Sequence, residues 1–323
     1  MRNRIVRSAS INSASFFHVL FSFILLWFSS LSVFSQSEIA VLTTGSEASM
    51  VSSEIESELI RVDFDMVSDL IWFKAEIDGE QGYFILDTGA PTLLLNNWDA
   101  DGGRMITGEA ANGAPFSLSE GRVRSFQIGG KEQGVQRALG LDLSGMENRS
   151  GQTLHGIMGY EQLRRYELLI DYEQGQFELL TRVQRRGRIE EPLFSIPFRM
   201  VDHLPVIRLR VGNKTWHLAL DSGAACNLID EDKLQSIDAY EPTGEQTRLH
   251  NLSGSEEITE YIRVSELEFR THQLVDMVFA PTDFGTALTD EIRIDGLLGQ
   301  PFFQMYRLSI DYKGRKIHFW KKP

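Results

Sequence analysis

The 323-residue chain has few features that could cross-link it or hold a metal. A single cysteine, Cys226, excludes an intramolecular disulfide, and no Cys/His cluster has the spacing of a zinc site. There are nine prolines and no low-complexity tract, so we expect a folded globular body. The formal net charge of −13 argues against a nucleic-acid partner. We expect neither a metal nor an organic cofactor.

A long apolar run lies close to the N-terminus. Three arginines within the first seven residues precede Phe16–Leu31, and Val33 and Ser35 are small. This pattern predicts a signal peptide over 1–35, cleaved before Gln36. The alternative is an uncleaved membrane anchor, because Phe16–Phe34 is almost long enough to span a bilayer. Cleavage lowers the net charge from −13 to −16 and predicts an exported, periplasmic or extracellular protein of bacterial type.

One sequence pattern occurs twice. The apolar run in Tyr83–Ala90 ends in Asp-Thr-Gly-Ala, and the run in Trp216–Ala224 ends in Asp-Ser-Gly-Ala, with the two aspartates 134 positions apart. The segments Phe64–Leu70 and Phe198–Leu204 align at the same offset of 134. Each is followed by a strand pattern and a hairpin turn. The chain therefore contains one strand-rich unit used twice.

The later parts of the two units align at an offset of 140. Gly156–Gly159 corresponds to Gly296–Gly299, and Tyr166–Tyr172 corresponds to Tyr306–Tyr312. The six additional residues of the second unit belong in loops, where insertions are tolerated. The predicted division is a leader or short pro-segment over 36–57, a first lobe over 58–180, a linker over 181–191 and a second lobe over 192–323.

Both units have a β-rich middle that predicts hairpins folding over a cleft. In the first unit this is Ile106–Ile128, with a hairpin tip at Ala111–Gly113. In the second unit it is Thr247–Phe269, with Asn251–Gly254 in a similar place.

The duplicated aspartates, Asp87 and Asp221, predict an acid–base pair. Two carboxylates held close together retain one proton, because both cannot ionise cheaply. Such a pair can activate water with its ionised member and polarise a carbonyl with its protonated member. The residues expected to support the pair are Thr88 and Ser222, which can bond across the two loops, and Gly89 and Gly223, which allow close approach and donate N–H groups.

An alanine, Ala90 or Ala224, completes each motif and offers no hydroxyl to the carboxylates. Less hydrogen bonding to the charged form leaves the pKa values of the aspartates less depressed. We therefore expect an activity optimum in mildly acidic to neutral solution.

The duplicated motifs, each followed at a distance by two apolar residues and a glycine, resemble those of the aspartic proteases, the standard example of a shared carboxyl proton. The final alanine resembles the retropepsin-like branch, and the two copies in one chain resemble the bilobal pepsin-like arrangement. The resemblance covers residues 60 to 320. It implies an all-β, bilobal acid-protease fold with a pseudo-two-fold axis, catalytic Asp87 and Asp221, loops locked by Thr88 and Ser222, and a flap hairpin. The hairpin around Gly113 lacks the flap tyrosine of pepsin-like enzymes.

Other polar residues near the motifs are interpreted as structural. Asp171 and Asp311 also follow apolar strands, but Tyr follows each of them instead of a hydroxyl residue and glycine. Cys226 is expected to be a buried packing thiol. His203 and His217 have no counterpart in the first unit, so no catalytic role is assigned to them.

The resulting prediction is an exported, monomeric aspartic endopeptidase that binds peptide or protein substrate between its lobes and uses water as nucleophile. It has no membrane contact unless the signal stays uncleaved. The alternative is a catalytically weak or inactive module that binds peptides through a protease-like fold. A glycosidase with paired carboxylates has little support from the residues around the aspartates.

Overall fold

The protein is described by a computed structural model that covers residues 59–322, apart from 101–102, 110–114, 182–183, 185–189, 236, 238–239, 251–255, 266, 270–271, 275–276 and 285–293. The predicted signal peptide and the whole predicted leader lie outside the described residues, as do both predicted hairpin tips and most of the linker. The predicted domain boundaries therefore stay predictions.

Over the described residues the fold is mostly β, with two multi-stranded sheets, one of 15 strands and one of 10. In the first part of the chain the elements are β1 Ile60–Val67, β2 Leu70–Ile77, β3 Glu80–Leu86, β4 Leu93–Asn96, β5 Arg104–Glu109, β6 Pro115–Val123, β7 Phe126–Ile128, β8 Lys131–Glu132, β9 Gln136–Leu141, α1 Ser144–Ser150, β10 Gly156–Met158, α2 Tyr160–Leu163, β11 Glu167–Asp171 and β12 Gln176–Leu180.

The second part of the chain repeats much of this order. Its elements are β13 Phe194–Pro197, β14 Arg199–Val201, β15 Leu204–Val211, β16 Lys214–Leu220, β17 Leu228–Asp230, α3 Glu231–Leu234, β18 Tyr240–His250, β19 Glu256–Val264, β20 Leu267–Phe269, β21 His272–Leu274, β22 Met277–Thr282, β23 Gly296–Leu298, α4 Gln300–Phe303, β24 Arg307–Asp311 and β25 Lys316–Trp320.

The predicted hairpins before each aspartate are present. β2 and β3 pair antiparallel up to Ile77↔Glu80, and β15 and β16 pair up to Val211↔Lys214. A two-residue turn closes each hairpin, and Gly79 and Gly212 adopt positive φ values of 90° and 55° there. Glycine reaches this backbone region without the steric penalty of a side chain. The second strand of each hairpin leads directly into an aspartate.

The two segments with paired glycines, Gly156–Gly159 and Gly296–Gly299, occupy equivalent places in the two sheets. β10 pairs in parallel with β3 and antiparallel with β4, so it lies between the strands on either side of the first motif. β23 lies between β16 and β17 in the same way. At Gly156 and Gly296 an added Cβ would lie 2.4 Å from the carbonyl oxygen of Leu94 and Leu228, respectively. A larger residue would therefore force the neighbouring strands apart.

The two parts of the chain meet in one sheet. β11 pairs antiparallel with β24, and Leu169 lies opposite Ser309. These are the two Ile-Asp strands that align at an offset of 140, but their pairing with each other was not predicted. Ser309 Oγ also donates a hydrogen bond to Glu167 Oε1 at 2.5 Å within this junction. The motif-bearing loops are thus tied to a common framework.

The largest apolar cluster runs through both parts of the chain and includes Phe84, Phe177, Trp216 and Phe319. Burial of such aromatic side chains contributes much of the stability of a β fold. In the described part of the chain, no helix is both long and apolar enough to traverse a bilayer.

Candidate active site

Both motif aspartates are fully buried and are anchored in the same way. The Asp87 N–H donates to Met158 O and the Asp221 N–H donates to Leu298 O, each at 3.0 Å. Each acceptor is the last residue of the strand that lies beside the aspartate's own strand, β10 or β23. The ladder of the sheet therefore continues one residue into each loop and fixes the starting point of each carboxyl side chain.

The two loops, Asp87–Ala90 and Asp221–Ala224, exchange hydrogen bonds through Thr88 and Ser222. Thr88 N–H donates to Ser222 Oγ and Ser222 N–H donates to Thr88 Oγ1, both at 2.9 Å. Each hydroxyl also donates to a carbonyl of the other strand, Thr88 Oγ1 to Leu220 O at 3.2 Å and Ser222 Oγ to Leu86 O at 2.9 Å. All four groups are buried, so losing any partner would leave a costly unsatisfied group.

Each motif glycine lies against the aspartate of the other loop. A Cβ on Gly89 would lie 2.5 Å from Asp221 Oδ1, and one on Gly223 would lie 2.3 Å from Asp87 Cγ. Each glycine also donates its N–H to Oδ1 of its own aspartate, at 2.7 Å for Asp87 and 2.9 Å for Asp221. The two carboxyls are therefore brought together by backbone contacts that only glycine permits.

The electrostatics of the pair follow from this proximity. Burial raises the pKa of Asp87 well above its ordinary value, and the neighbouring charge of Asp221 raises it further. Burial also raises the pKa of Asp221, while hydrogen bonds from Asp87 and from backbone N–H groups oppose that rise. Two carboxyls this close are expected to titrate as a unit and to retain one proton between them.

Apart from the other carboxyl of the pair, Asp87 Oδ2 and Asp221 Oδ2 have no hydrogen-bond partner among the described residues. Buried carboxyl oxygens without a partner are rare, since desolvation is then uncompensated. These two atoms are the part of the site that is open to a shared proton, a water molecule or a substrate oxygen.

The two motif alanines, Ala90 and Ala224, are fully buried. The carbonyl of Ala90 accepts from Tyr160 N–H, and that of Ala224 accepts from Gln300 N–H, both at 2.8 Å. Each loop is thus joined to the first turn of α2 or α4. Ala90 N–H also donates to Asp87 Oδ1 at 3.1 Å, but its side chain offers no hydroxyl.

Several residues that support the site were not predicted. Gln300 Nε2 donates to Ser222 O at 2.6 Å, and His203 Nε2 lies 2.9 Å from Gly89 O. Asn227 accepts from Gly299 N–H through Oδ1 at 2.9 Å. These side chains have no equivalent at the aligned positions of the first unit, so a search for repeated residues passes over them. The sequence did contain a signal for these residues, namely a polar side chain at a position where the two units differ.

The residues interpreted as structural occupy structural positions. Asp171 accepts from Gln174 N–H at 3.1 Å and Asp311 accepts from Gly314 N–H at 2.8 Å, so each carboxylate closes the turn after its strand. Cys226 is buried, and burial raises the pKa of its thiol to about 12. His217 Nδ1 lies 3.2 Å from Asp295 Oδ2, and this contact is separate from the hydrogen bonds of Asp87 and Asp221. Within the described ranges, no group of three or more His, Cys, Asp or Glu residues is arranged to hold a metal.

Residues 207–302 match a protein-family model described as Aspartyl protease. The match begins in β15 and ends in α4, so it includes Asp221–Ala224 and not Asp87–Ala90. It supports an aspartyl protease family and a hydrolytic, peptidase-type activity. No curated protein matches the chain.

Proposed function

We propose that the chain is an exported aspartic endopeptidase in which Asp87 and Asp221 form the catalytic pair. The observation that carries this proposal is the buried arrangement of the two carboxyls, each flanked by the glycine of the opposite loop. A chain with a single functional motif would have no need of a second buried aspartate against the glycine of the first motif. The first motif lies outside the family match, yet it forms the other half of the hydrogen-bonded loop pair.

The raised pKa values of the buried pair favour retention of one proton, so the scheme gives the two carboxyls different roles. We take Asp87 as the protonated member, which donates a hydrogen bond to the oxygen of the scissile carbonyl. Ionised Asp221 accepts a proton from water, the water oxygen forms a bond to the carbonyl carbon, and the proton of Asp87 passes to the carbonyl oxygen. The resulting tetrahedral diol collapses when the proton on Asp221 passes to the amide nitrogen, the C–N bond breaks and one diol hydroxyl returns its proton to Asp87. No covalent enzyme intermediate is formed in this scheme.

The proposed fold is a bilobal one with a pseudo-two-fold axis. It is supported by the register of β11 and β24, in which Leu169 lies opposite its own aligned position, Ser309. It is also supported by the equivalent placement of β10 and β23 beside the two motifs. Substrate would lie in extended form between the lobes, beneath hairpins such as β5–β6 and β18–β19.

Export is proposed from the sequence of the first 35 residues alone. N-terminal sequencing of the protein recovered from a bacterial host checks it, since cleavage should expose Gln36. Retention of Met1 in the recovered protein would contradict the proposal.

Cleavage of a denatured protein mixture at several pH values, with and without a statine-type inhibitor, tests the activity. We expect cleavage that the inhibitor blocks and that is greatest in mildly acidic to neutral solution. Inhibitor binding without any cleavage at any pH would favour the inactive peptide-binding module instead. A maximum in strong acid, below the ordinary aspartate pKa of about 3.9, would contradict the expected optimum.

A further inference from the structure

In each aspartate loop, one backbone carbonyl accepts a hydrogen bond from a side chain outside the loop. The donor side chain is different in the two loops. Gly89 O accepts from His203 Nε2 at 2.9 Å, so that nitrogen carries a proton. Ser222 O accepts from Gln300 Nε2 at 2.6 Å. The amide oxygen of Gln300 in turn accepts from the Tyr172 hydroxyl at 2.6 Å. Burial raises the pKa of Tyr172 well above its ordinary value, so this hydroxyl remains a donor.

These contacts cross from one half of the chain to the other. His203 belongs to the turn between β14 and β15 in the second half, whereas Gly89 belongs to the first motif. Tyr172 follows β11 in the first half, and through Gln300 it supports a carbonyl of the second motif. The position of each aspartate loop therefore depends on a side chain from the other half.

The two supports are not equivalent by the internal repeat. At the offset of 140, Gln300 aligns with Tyr160 and Tyr172 aligns with Tyr312. The rings of Tyr160 and Tyr312 pack edge to face at 5.6 Å, and the buried Tyr312 hydroxyl has no partner among the described residues. The first loop thus lacks a tyrosine–glutamine pair. His203, which aligns with Asp69 at the offset of 134, holds the first loop instead through Gly89 O, one residue beyond the position equivalent to Ser222.

We propose that His203, and Gln300 with Tyr172 behind it, are positioning residues that hold the two aspartate loops, and that His203 makes the first loop the acid-sensitive one. This inference rests on the proposed function for its catalytic consequence, but the hydrogen bonds on which it depends are independent of any activity. The amide of Gln300 does not titrate, whereas an imidazole does.

The environment of His203 determines the direction of the effect. Burial lowers the pKa of His203, while its bond to Gly89 O and the charge of Asp202 oppose that change. Tyr160 of α2 also faces it, with ring centroids 6.5 Å apart. Its folded pKa is below its unfolded value, so the folded state favours neutral imidazole. Stability from this group is present above about pH 6.5 and is lost as the pH falls below that value.

His203→Gln provides the central test, because a glutamine can keep an amide donor near Gly89 O and cannot be protonated. We expect the wild-type chain to lose about 2–4 °C more in Tm than His203→Gln between pH 7.5 and pH 5. His318→Gln is the matched control, since His318 is a half-buried histidine on β25 that bonds to Ser195. We expect this control to follow the wild type across the same range.

Activity supplies a second readout. We expect the acid limb of kcat to move down by about one pH unit in His203→Gln and to stay unchanged in Gln300→Ala. His203→Ala and Gln300→Ala should each lower kcat about tenfold at neutral pH with little change in KM. Wild-type pH dependence of both Tm and kcat in His203→Gln would overturn the proposal. If the wild-type chain cleaves nothing, the proposed function fails, and the Tm comparison alone then decides the role of His203.

Discussion

The two aspartate loops have almost the same sequence and the same hydrogen bonds to each other, yet a proton shared by their carboxyls can belong to only one of them at a time. Thr88 and Ser222 exchange identical bonds at 2.9 Å. Burial raises the pKa of both aspartates, and the charge of Asp221 adds to the rise for Asp87. A duplicated motif therefore gives the geometry of a symmetric pair, while the shared proton makes the two members unequal.

The surroundings of the loops add a second difference. The second loop is held by an uncharged chain from Tyr172 through Gln300, whereas the first is held by a histidine. Tyr312, which packs on Tyr160 beside the first loop, also has a hydroxyl without a partner in the described part of the protein. A buried hydroxyl without a partner costs about 1–3 kcal/mol, so the first loop is the less completely satisfied of the two.

The largest expected effect comes from removing either carboxylate. Asp87→Asn and Asp221→Asn should each lower kcat/KM by about 10³-fold or more, because the pair needs both an ionised and a protonated member. Peptidase assays on the purified variants provide the measurement. Asp65→Asn, at an exposed position of β1, is the control and should be fully active. Substantial activity in one of the two variants would mean that the carboxyls do not act together.

The next largest effect comes from the motif glycines. Gly89→Ala and Gly223→Ala should each push against the opposite aspartate, because the new Cβ would lie within 2.5 Å of its carboxyl group. We expect a loss of about 100-fold in kcat and roughly 1–3 kcal/mol in unfolding free energy. Gly145→Ala in α1, where the nearest atom is 3.5 Å away, is the control. Normal activity in the motif variants would show that the loops are farther apart than described.

Removal of the hydroxyl of Thr88 or Ser222 should have a smaller effect, of similar size in the two loops. Thr88→Ala and Ser222→Ala each leave a buried N–H and a buried carbonyl without their partners. Each should lower the unfolding free energy by about 1–3 kcal/mol in urea titrations. Thr88→Ser and Ser222→Thr retain the hydroxyl and should change it by much less. A loss confined to one of the alanine variants would mean that the two loops are not equally dependent on each other.

The smallest effect concerns the proton that the two carboxyls share. The folded pKa of Asp87 is raised, so the stability linked to its proton is present at low pH and is lost as the pH rises through the folded pKa. Asp87→Asn removes that loss and should therefore be more stable than the wild type in alkaline solution. The gain is about 1.4 kcal/mol per unit of raised pKa.

Unfolding curves between pH 4 and pH 9 for the wild type, Asp87→Asn and Asp221→Asn measure this effect. Asp221→Asn should gain stability as well, because burial also raises the pKa of Asp221. A wild-type pH dependence of stability in both variants would contradict the raised pKa values of the pair.

The sequence by itself determined the hairpin that precedes each aspartate and the loop that follows it. The alternation of apolar and charged residues in β15 predicted a half-buried strand. The Asp78-Gly79 pair predicted a tight turn, and Gly79 adopts a positive φ of 90° there, which glycine reaches without a steric penalty. The repeat at offset 134 also indicated that Asp87 and Asp221 form a pair, since equivalent loops can meet only across a shared axis. Local chemistry and repetition were sufficient for these features.

Only the tertiary structure decided what surrounds the pair. The pairing of β11 with β24, the Tyr172–Gln300 chain and the contact of His203 with Gly89 join residues far apart in sequence. Nothing in local periodicity records such contacts, because they depend on how two folded units pack together. The inequality of the two carboxyls has the same origin, since burial and mutual charge arise only once both loops are in place.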